Sequence, residues 1–287
     1  MKLNLYILSA FSGVLMSGCI DDFLNLSPQD QVTTAVYYRT LDEFQNSANE
    51  LHAKGNIYAF KGNSGYNVGF DYGTDLISIA SEELNGTNST VTSSEYWENP
   101  YKWLRKVNQL IEAGENYSGS DDISAPLGQA YFFRAWHHFW LLKRFGGIPL
   151  MTYVPDVNSP IINGPRNSRY EVIASVISDL DKAIDLLKNT TKTSTQNDGH
   201  VTVEAATALK ARVCLYEGTF EKYNADNLAF LDGDGVNDGT GANKPSEYPS
   251  IDDFLRMAKE CSAKFVEGGE YSSEYEMFRG VESADKP

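Results

Sequence analysis

Apolar residues recur every three or four positions along six stretches of the chain, which is the spacing of one buried face of an α-helix. Three of these stretches open with a Ser or Thr followed three residues later by an acidic residue. The pairs are Thr40 with Glu43, Ser168 with Glu171, and Ser250 with Asp253. Such a pair satisfies free backbone N–H groups at the start of a helix. The pattern predicts six helices, beginning near residues 40, 96, 124, 168, 202 and 250.

Glycines and small residues indicate how these helices end and pack. We expect Gly146-Gly147 to stop the helix that begins near Ser124, and Ile148-Pro149-Leu150 to continue as extended chain. Gly268-Gly269 is expected to end the last helix. The helix that Thr202 begins is rich in alanine, and alanines let a neighbouring backbone approach closely. The sequence therefore predicts a central position for that helix.

Strands are hardly signalled anywhere in the chain. A loop-like stretch rich in Gly, Asn, Ser, Thr and Tyr runs from Gly55 to about Ser94. Pairs of amphipathic helices joined by loops are typical of an α-solenoid. We therefore expect an all-α fold, a tetratricopeptide-like helical repeat scaffold with long irregular loops.

The N-terminus has the pattern of an export signal. Lys2 supplies a positive start, and residues 3–16 are mostly apolar and uncharged, which is too short for a membrane-spanning helix. Leu15-Met16-Ser17-Gly18-Cys19 resembles the lipobox of bacterial lipoproteins, in which the cysteine thiol carries the lipid. We predict a signal peptide over residues 1–18, lipidation of Cys19 and a mature domain over 19–287. A buried cysteine in an ordinary N-terminal strand is the alternative.

Net charge narrows the possible partners, and cysteine content indicates what stabilises the core. The chain has 39 acidic and 24 basic residues among 287, a net charge of −15. A surface so acidic repels phosphate backbones, so we expect no nucleic-acid partner. Three cysteines cannot form a disulfide framework, so the core must be held together by packing.

Motifs for catalysis and cofactors are missing from the sequence. It has no phosphate-binding loop of the Gly-x-x-x-x-Gly-Lys type, no His-Glu-x-x-His and no Cys-x-x-Cys. His137 and His138 are helix neighbours about 100° apart, so they cannot share a metal as residues one turn apart can. We predict no catalytic residue, no metal and no cofactor, although two carboxylates of a glycosidase would leave no motif. Residues 232–238 resemble a calcium loop, and a solvated acidic loop is the alternative.

The aromatic residues fall into two groups. Phe132, Trp136, Phe139 and Trp140 have core spacing on one helix, so we expect them to pack inside. A second group lies in or beside the Asn-rich stretch 62–99, namely Tyr66, Tyr72, Tyr96 and Trp97. Aromatic faces stack on sugar rings while Asn, Asp and Arg bind the hydroxyls, so this stretch suits a neutral polyhydroxylated ligand. A tyrosine-rich loop that packs on its own domain is the alternative.

Several blocks together resemble the SusD/RagB family of glycan-binding lipoproteins. The lipobox is followed by Asp21-Asp22-Phe23-Leu24, and the later blocks stand in the family's order. They are YWENPYKWLRKVNQLIEA (96–113), RAWHHFWLLKRFGGIPLM (134–151), SRYEVIASVISDLDKAIDLL (168–187) and VTVEAATALKARVCLYEGTF (201–220). The acidic pair also resembles a surface-export signal of such lipoproteins, with a merely solvated acidic start as the alternative. The resemblance covers the N-terminal part of the family's fold, and from it we expect a chain truncated at the C-terminus.

The resemblance implies a cell-surface lipoprotein of the outer membrane that captures oligosaccharides. It would pass them to a SusC-like TonB-dependent transporter and perform no covalent chemistry. The glycan would bind an aromatic arc built from loops. The residues we predict to contact it are Tyr66, Asn67, Asp71, Tyr72, Asn85 and Trp97.

Two alternatives remain open. The helical repeats could be an interaction scaffold that binds the transporter without a glycan site of its own. The chain could also be a lipoprotein enzyme such as a glycosidase. Trp97 fits the buried face of the helix that follows it as well as it fits a sugar platform.

Overall fold

The computed structural model describes residues 37–54, 93–189, 199–224, 244–266 and 268–272. Within these ranges the chain forms seven helices and no strand, in a compact unit that begins at Arg39. They are α1 (Leu41–Lys54), α2 (Glu95–Glu115), α3 (Ser124–Phe145), α4 (Pro160–Asn163), α5 (Arg169–Leu187), α6 (Val203–Asn224) and α7 (Ile251–Ala263). All six predicted helices are confirmed, and only the four-residue α4 was not predicted. None of the helices in the described part is long and apolar enough to cross a membrane.

The three predicted capping boxes are confirmed. Before α5, the Ser168 backbone N–H donates to Glu171 Oε2 (2.8 Å), and the Glu171 N–H donates to Ser168 Oγ (3.2 Å). Ser250 and Asp253 form the same reciprocal pair before α7, with both bonds 3.2 Å long. Thr40 and Glu43 do so before α1. Because each box depends only on residues three apart, the sequence locates these helix starts closely.

The observed C-terminal ends of the helices agree with the sequence predictions less well than their starts do. Gly146 has φ +71° and its N–H donates to the Leu142 carbonyl (2.9 Å), so it stops α3 as predicted. Gly268-Gly269 does not end α7, which stops earlier at Ala263, so that prediction was wrong. The chain instead tightens into turns, and the Tyr271 N–H donates to the Lys264 carbonyl (2.7 Å). That bond satisfies a carbonyl at the helix end, and the turn that leads to it contains Gly268 at φ +81° and Gly269, where a Cβ would clash with the Ala263 carbonyl oxygen.

Successive helices pack side by side, as in a tetratricopeptide-like stack. Helix α3 packs against α2 and α5, α5 against α6, and α6 against α7, while α1 lies on α2 and α3. Helix α6 packs against both α5 and α7, and α3 is the more completely buried helix. Aromatic side chains, rather than alanines, fill the space around it, and Phe133 and Phe139 are almost fully buried. Close approach occurs at Gly128, where a Cβ would lie 2.8 Å from Leu187 Cγ.

The aromatic group on α3 is only partly core. Phe132 and Phe139 are buried as predicted, but Trp136 and Trp140 are half-buried. The helix carries aromatic residues around most of its circumference, and the indoles of Trp136 and Trp140 are partly exposed to solvent.

A buried ion pair connects three of the helices. Arg134 of α3 donates from Nε and Nη2 to the two carboxylate oxygens of Asp179 on α5, at 2.8 and 2.6 Å. Its Nη1 donates to Asn108 Oδ1 on α2 (3.2 Å) and to the Thr152 carbonyl (3.1 Å). Asn108 Nδ2 in turn donates to the carbonyls of Met151 and Tyr153. The network therefore holds the segment after α3 against the helices.

His52 links α1 to the start of α6. Its Nδ1 lies 2.8 Å from the Ala48 carbonyl, and its Nε2 accepts a hydrogen bond from the Val201 N–H (2.8 Å). Because one ring nitrogen donates and the other accepts, the imidazole must be neutral. Burial lowers the pKa of His52 to about 4, which favours that neutral form.

Candidate functional site

The start of α2 lies beside the end of α3, and aromatic and cationic side chains meet there. Of the six predicted glycan-contacting residues, only Trp97 belongs to the described part of the chain. Tyr66, Asn67, Asp71, Tyr72 and Asn85 lie outside the described residues. So do Cys19, the acidic pair that follows it and the calcium-like stretch 232–238. We call the region around Tyr96, Trp97, Arg144, Phe145 and Arg166 the α2–α3 corner.

Trp97 is half-buried and packs on the scaffold. Its ring centroid lies 4.9 Å from that of Phe145, edge to face, and 5.2 Å from that of Tyr101. The Arg166 guanidinium carbon lies 5.2 Å from the centre of the Trp97 ring. The indole therefore contributes to the α2–α3 contact, and its role in glycan binding stays a prediction.

Tyr96 offers the more accessible ring of the corner. It is 52% exposed, and the guanidinium carbon of Arg144 lies 3.8 Å from its ring centre. That distance is typical of a guanidinium stacked on an aromatic face. The sequence placed Tyr96 among the aromatics near the Asn-rich stretch but did not select it as a contact residue. Its cationic partner comes from the far end of the next helix, which no local pattern indicates.

Tyr101 has a structural role in the same region. Its hydroxyl donates to the Pro149 carbonyl (2.9 Å), which fixes the extended segment after Gly147 against α2. Burial raises the pKa of Tyr101, although the nearby Arg166 opposes the rise. The hydroxyl is therefore protonated at all physiological pH values and used internally.

Cations collect at the end of α3. Lys143 and Arg144 occupy its last turn, and burial, together with repulsion from Arg212, lowers the pKa of Lys143. Arg166 approaches from the segment before α5, with Nη1 3.4 Å from the Phe145 carbonyl and 3.5 Å from that of Gly147. Within the described ranges, none of these four cations forms an ion pair with a carboxylate.

Burial shifts the pKa values of two histidines and a cysteine in the helical core. Burial lowers the pKa values of His137 and His138 to about 3, so both are neutral at physiological pH. Burial raises the pKa of the Cys214 thiol to about 12, which leaves it unreactive. Among the described residues, no cluster of three His, Cys, Asp or Glu side chains could hold a metal ion.

Comparison with known proteins gives a consistent result. The model of the SusD-like family described as "Starch-binding associating with outer membrane" matches residues 22–215. SusD-like protein P2 of Formosa agariphila is 26% identical over 216 residues, which cover 71% of this chain and 41% of that protein. SusD-like protein P38 of the same organism is 31% identical over 143 residues, covering 49% of this chain and 27% of its own. This chain therefore matches less than half the length of either relative.

A solved structure has the same arrangement of helices. The crystal structure of a SusD-like carbohydrate binding protein from Bacteroides fragilis NCTC 9343 matches 68% of this chain and 41% of its own chain. The TM-score is 0.52 at 17% sequence identity. At that identity the likeness concerns the fold alone.

Proposed function

We propose, because this chain belongs to the SusD-like family, that it is a glycan-binding lipoprotein of the outer membrane. It captures oligosaccharides at the cell surface and delivers them to a SusC-like TonB-dependent transporter, without covalent chemistry. The observation that carries the proposal is the family match over residues 22–215, whose description names both starch binding and the outer membrane.

The α2–α3 corner supports the binding part of the proposal. Sugar rings have apolar faces, and an exposed aromatic ring held by its neighbours is a suitable surface for them. Tyr96 is such a ring, and it stands next to Trp97 at the edge of the Asn-rich stretch that the sequence singles out. The predicted contacts Tyr66, Asn67, Asp71, Tyr72 and Asn85 belong to that stretch.

The anchoring part of the proposal concerns residues 1–18, as the signal peptide, and Cys19. Each buried methylene of an acyl chain contributes about 0.8 kcal/mol, so several chains on Cys19 would hold the mature domain 19–287 at the membrane. Cys19→Ala should therefore leave an unprocessed or soluble protein. Detergent-phase partitioning measures this, and partitioning equal to that of the wild type would contradict the anchor.

Affinity electrophoresis tests glycan binding directly. The full chain, purified in detergent, is run through gels that contain one soluble polysaccharide each, including starch. We expect retardation by at least one polysaccharide, and we expect Tyr72→Ala to reduce it without lowering the melting temperature. Lys188→Ala, just after α5, is the matched control, because Lys188 is exposed and its one ion pair among the described residues is with the exposed Asp185.

The outcomes separate the proposal from its alternatives. If no glycan retards the chain but it co-purifies with the transporter, the interaction scaffold is the better account. Turnover of a polysaccharide that survives purification and fails in a carboxylate variant would favour a glycosidase.

A further inference from the structure

We propose that the α2–α3 corner recognises an acidic glycan, through the carboxylate or sulfate groups on its sugar rings. The inference rests on the proposed glycan-binding function and names the chemical class of its ligand. It starts from two arginine–aromatic pairs that lie side by side, Arg144 over Tyr96 and Arg166 over Trp97.

These arginines stand out against the charge of the chain. With 39 acidic residues against 24 basic ones, a cation can readily find a carboxylate. Many do so, including the buried Arg134 with Asp179 and the exposed Arg256 with Asp253. Arg144 and Arg166 make no such pair within the described residues, even though the exposed Glu95 and Glu98 lie in the same first turn of α2 as the two aromatic rings.

Stacking on a ring orients a guanidinium without using its donors. The five N–H groups of arginine lie in the plane of the guanidinium and point outward from its edge. The guanidinium carbon of Arg144 lies 3.8 Å from the Tyr96 ring centre, and none of its N–H groups donates a hydrogen bond to another described residue. Within the described residues Arg166 makes two long bonds, both from Nη1 to carbonyls, and its Nη2 and Nε make none. Such an edge matches the two oxygens of a carboxylate or a sulfate.

The two pairs involve consecutive residues of α2. Tyr96 and Trp97 are consecutive in α2, and Arg144 precedes Phe145, whose ring contacts that of Trp97 at 4.9 Å between centroids. An acidic sugar could then lay its apolar face against the exposed part of Tyr96 while its anionic group reaches an arginine. Lys143 occupies the same last turn of α3 as Arg144, and Arg212 lies close enough to Lys143 to repel its charge. The corner therefore joins two arginines, without a carboxylate partner among the described residues, to the rings of Tyr96 and Trp97.

Matched probes separate charge from ring structure. The full chain is titrated against immobilised oligogalacturonate and its methyl ester, which differ only in the carboxylate charge. Dextran sulfate and dextran form the corresponding pair for sulfate. We expect the wild type to bind at least one anionic member about tenfold or more tightly than its neutral partner, with an affinity that falls as salt is raised.

Variants then test the location. Arg144→Gln and Arg166→Gln should each lose about tenfold of the affinity for the anionic probe. Arg256→Gln, which removes one exposed arginine from α7, should change nothing. Melting curves check that each variant is folded, and Arg144→Gln is the safer variant because Arg166 also donates to the Phe145 and Gly147 carbonyls.

Three results would overturn the inference. Equal affinity for charged and neutral probes would leave glycan binding intact but remove the acidic class. An anionic preference that survives both arginine substitutions would place the site elsewhere. Binding to none of the four probes, nor to any polysaccharide in the electrophoresis panel, would contradict the proposed function as well.

Discussion

Removal of the carboxylate of Asp179 should cost much more stability than its size suggests. Asp179 is 2% exposed and Arg134 6% exposed, so neither charge is solvated by water. In Asp179→Ala the guanidinium keeps its bonds to Asn108 and Thr152 but loses both bonds to the carboxylate. Breaking a buried pair by removing one partner typically costs about 3–5 kcal/mol, because an uncompensated charge is left inside.

A second variant separates the cost of the uncompensated Arg134 charge from the ordinary loss of packing at Asp179. The double substitution Arg134→Met with Asp179→Leu removes both charges and refills the volume, so it should cost less than Asp179→Ala alone. An exposed pair serves as the control, and Asp185→Ala should change the free energy of unfolding by less than about 1 kcal/mol.

Urea unfolding followed by circular dichroism measures all three variants. We expect Asp179→Ala to unfold at the lowest urea concentration, followed by the double variant and then Asp185→Ala. A free energy of unfolding for Asp179→Ala within 1 kcal/mol of the wild type would refute the reasoning. So would a double variant that is clearly less stable than the single one.

Three further predictions concern the same core. The His52 ring is neutral above about pH 4 in the folded state but only above about pH 6.5 in the unfolded chain, so its contribution to stability is complete above pH 6.5 and is lost as the pH falls toward 4. His52→Gln should therefore reduce the loss of unfolding free energy across that pH window by about 2 kcal/mol, measured by urea unfolding. An unchanged pH dependence would contradict this. Phe139→Ala should lower the free energy of unfolding by about 3–5 kcal/mol because the ring is almost fully buried, whereas a wild-type melting curve would mean that this face is not core. Gly128→Ala should cost about 1–3 kcal/mol in the same assay, since its Cβ would lie 2.8 Å from Leu187 Cγ, and an equal or higher stability would show that Leu187 moves aside freely.

Local features of the fold could be predicted from the sequence. The helix starts at Thr40, Ser168 and Ser250 depend on residues three positions apart, so the pattern locates them. The end of α7 could not be located in this way, because Tyr271 satisfies the Lys264 carbonyl from beyond a turn. Helix α4 is only four residues long and has no apolar period to detect.

Long-range pairings could not be predicted. The sequence contains 39 acidic residues, and nothing local marks Asp179 as the partner of Arg134. The same holds for the α2–α3 corner, where Arg144 reaches Tyr96 only because α2 and α3 pack together. Sequence composition identified the aromatics near the Asn-rich stretch, but the cations beside them depend on tertiary packing.

Isothermal titration with the glycan that most retards the full chain is the most direct test of the central claim, which is that this chain itself binds a glycan beside α2. The wild type should bind with a measurable heat and a stoichiometry near one, and Tyr72→Ala and Tyr96→Ala should each weaken binding by about 1–3 kcal/mol while melting like the wild type. Wild-type affinity in both variants would contradict the proposed location. The absence of any heat with the wild-type chain would contradict the claim itself.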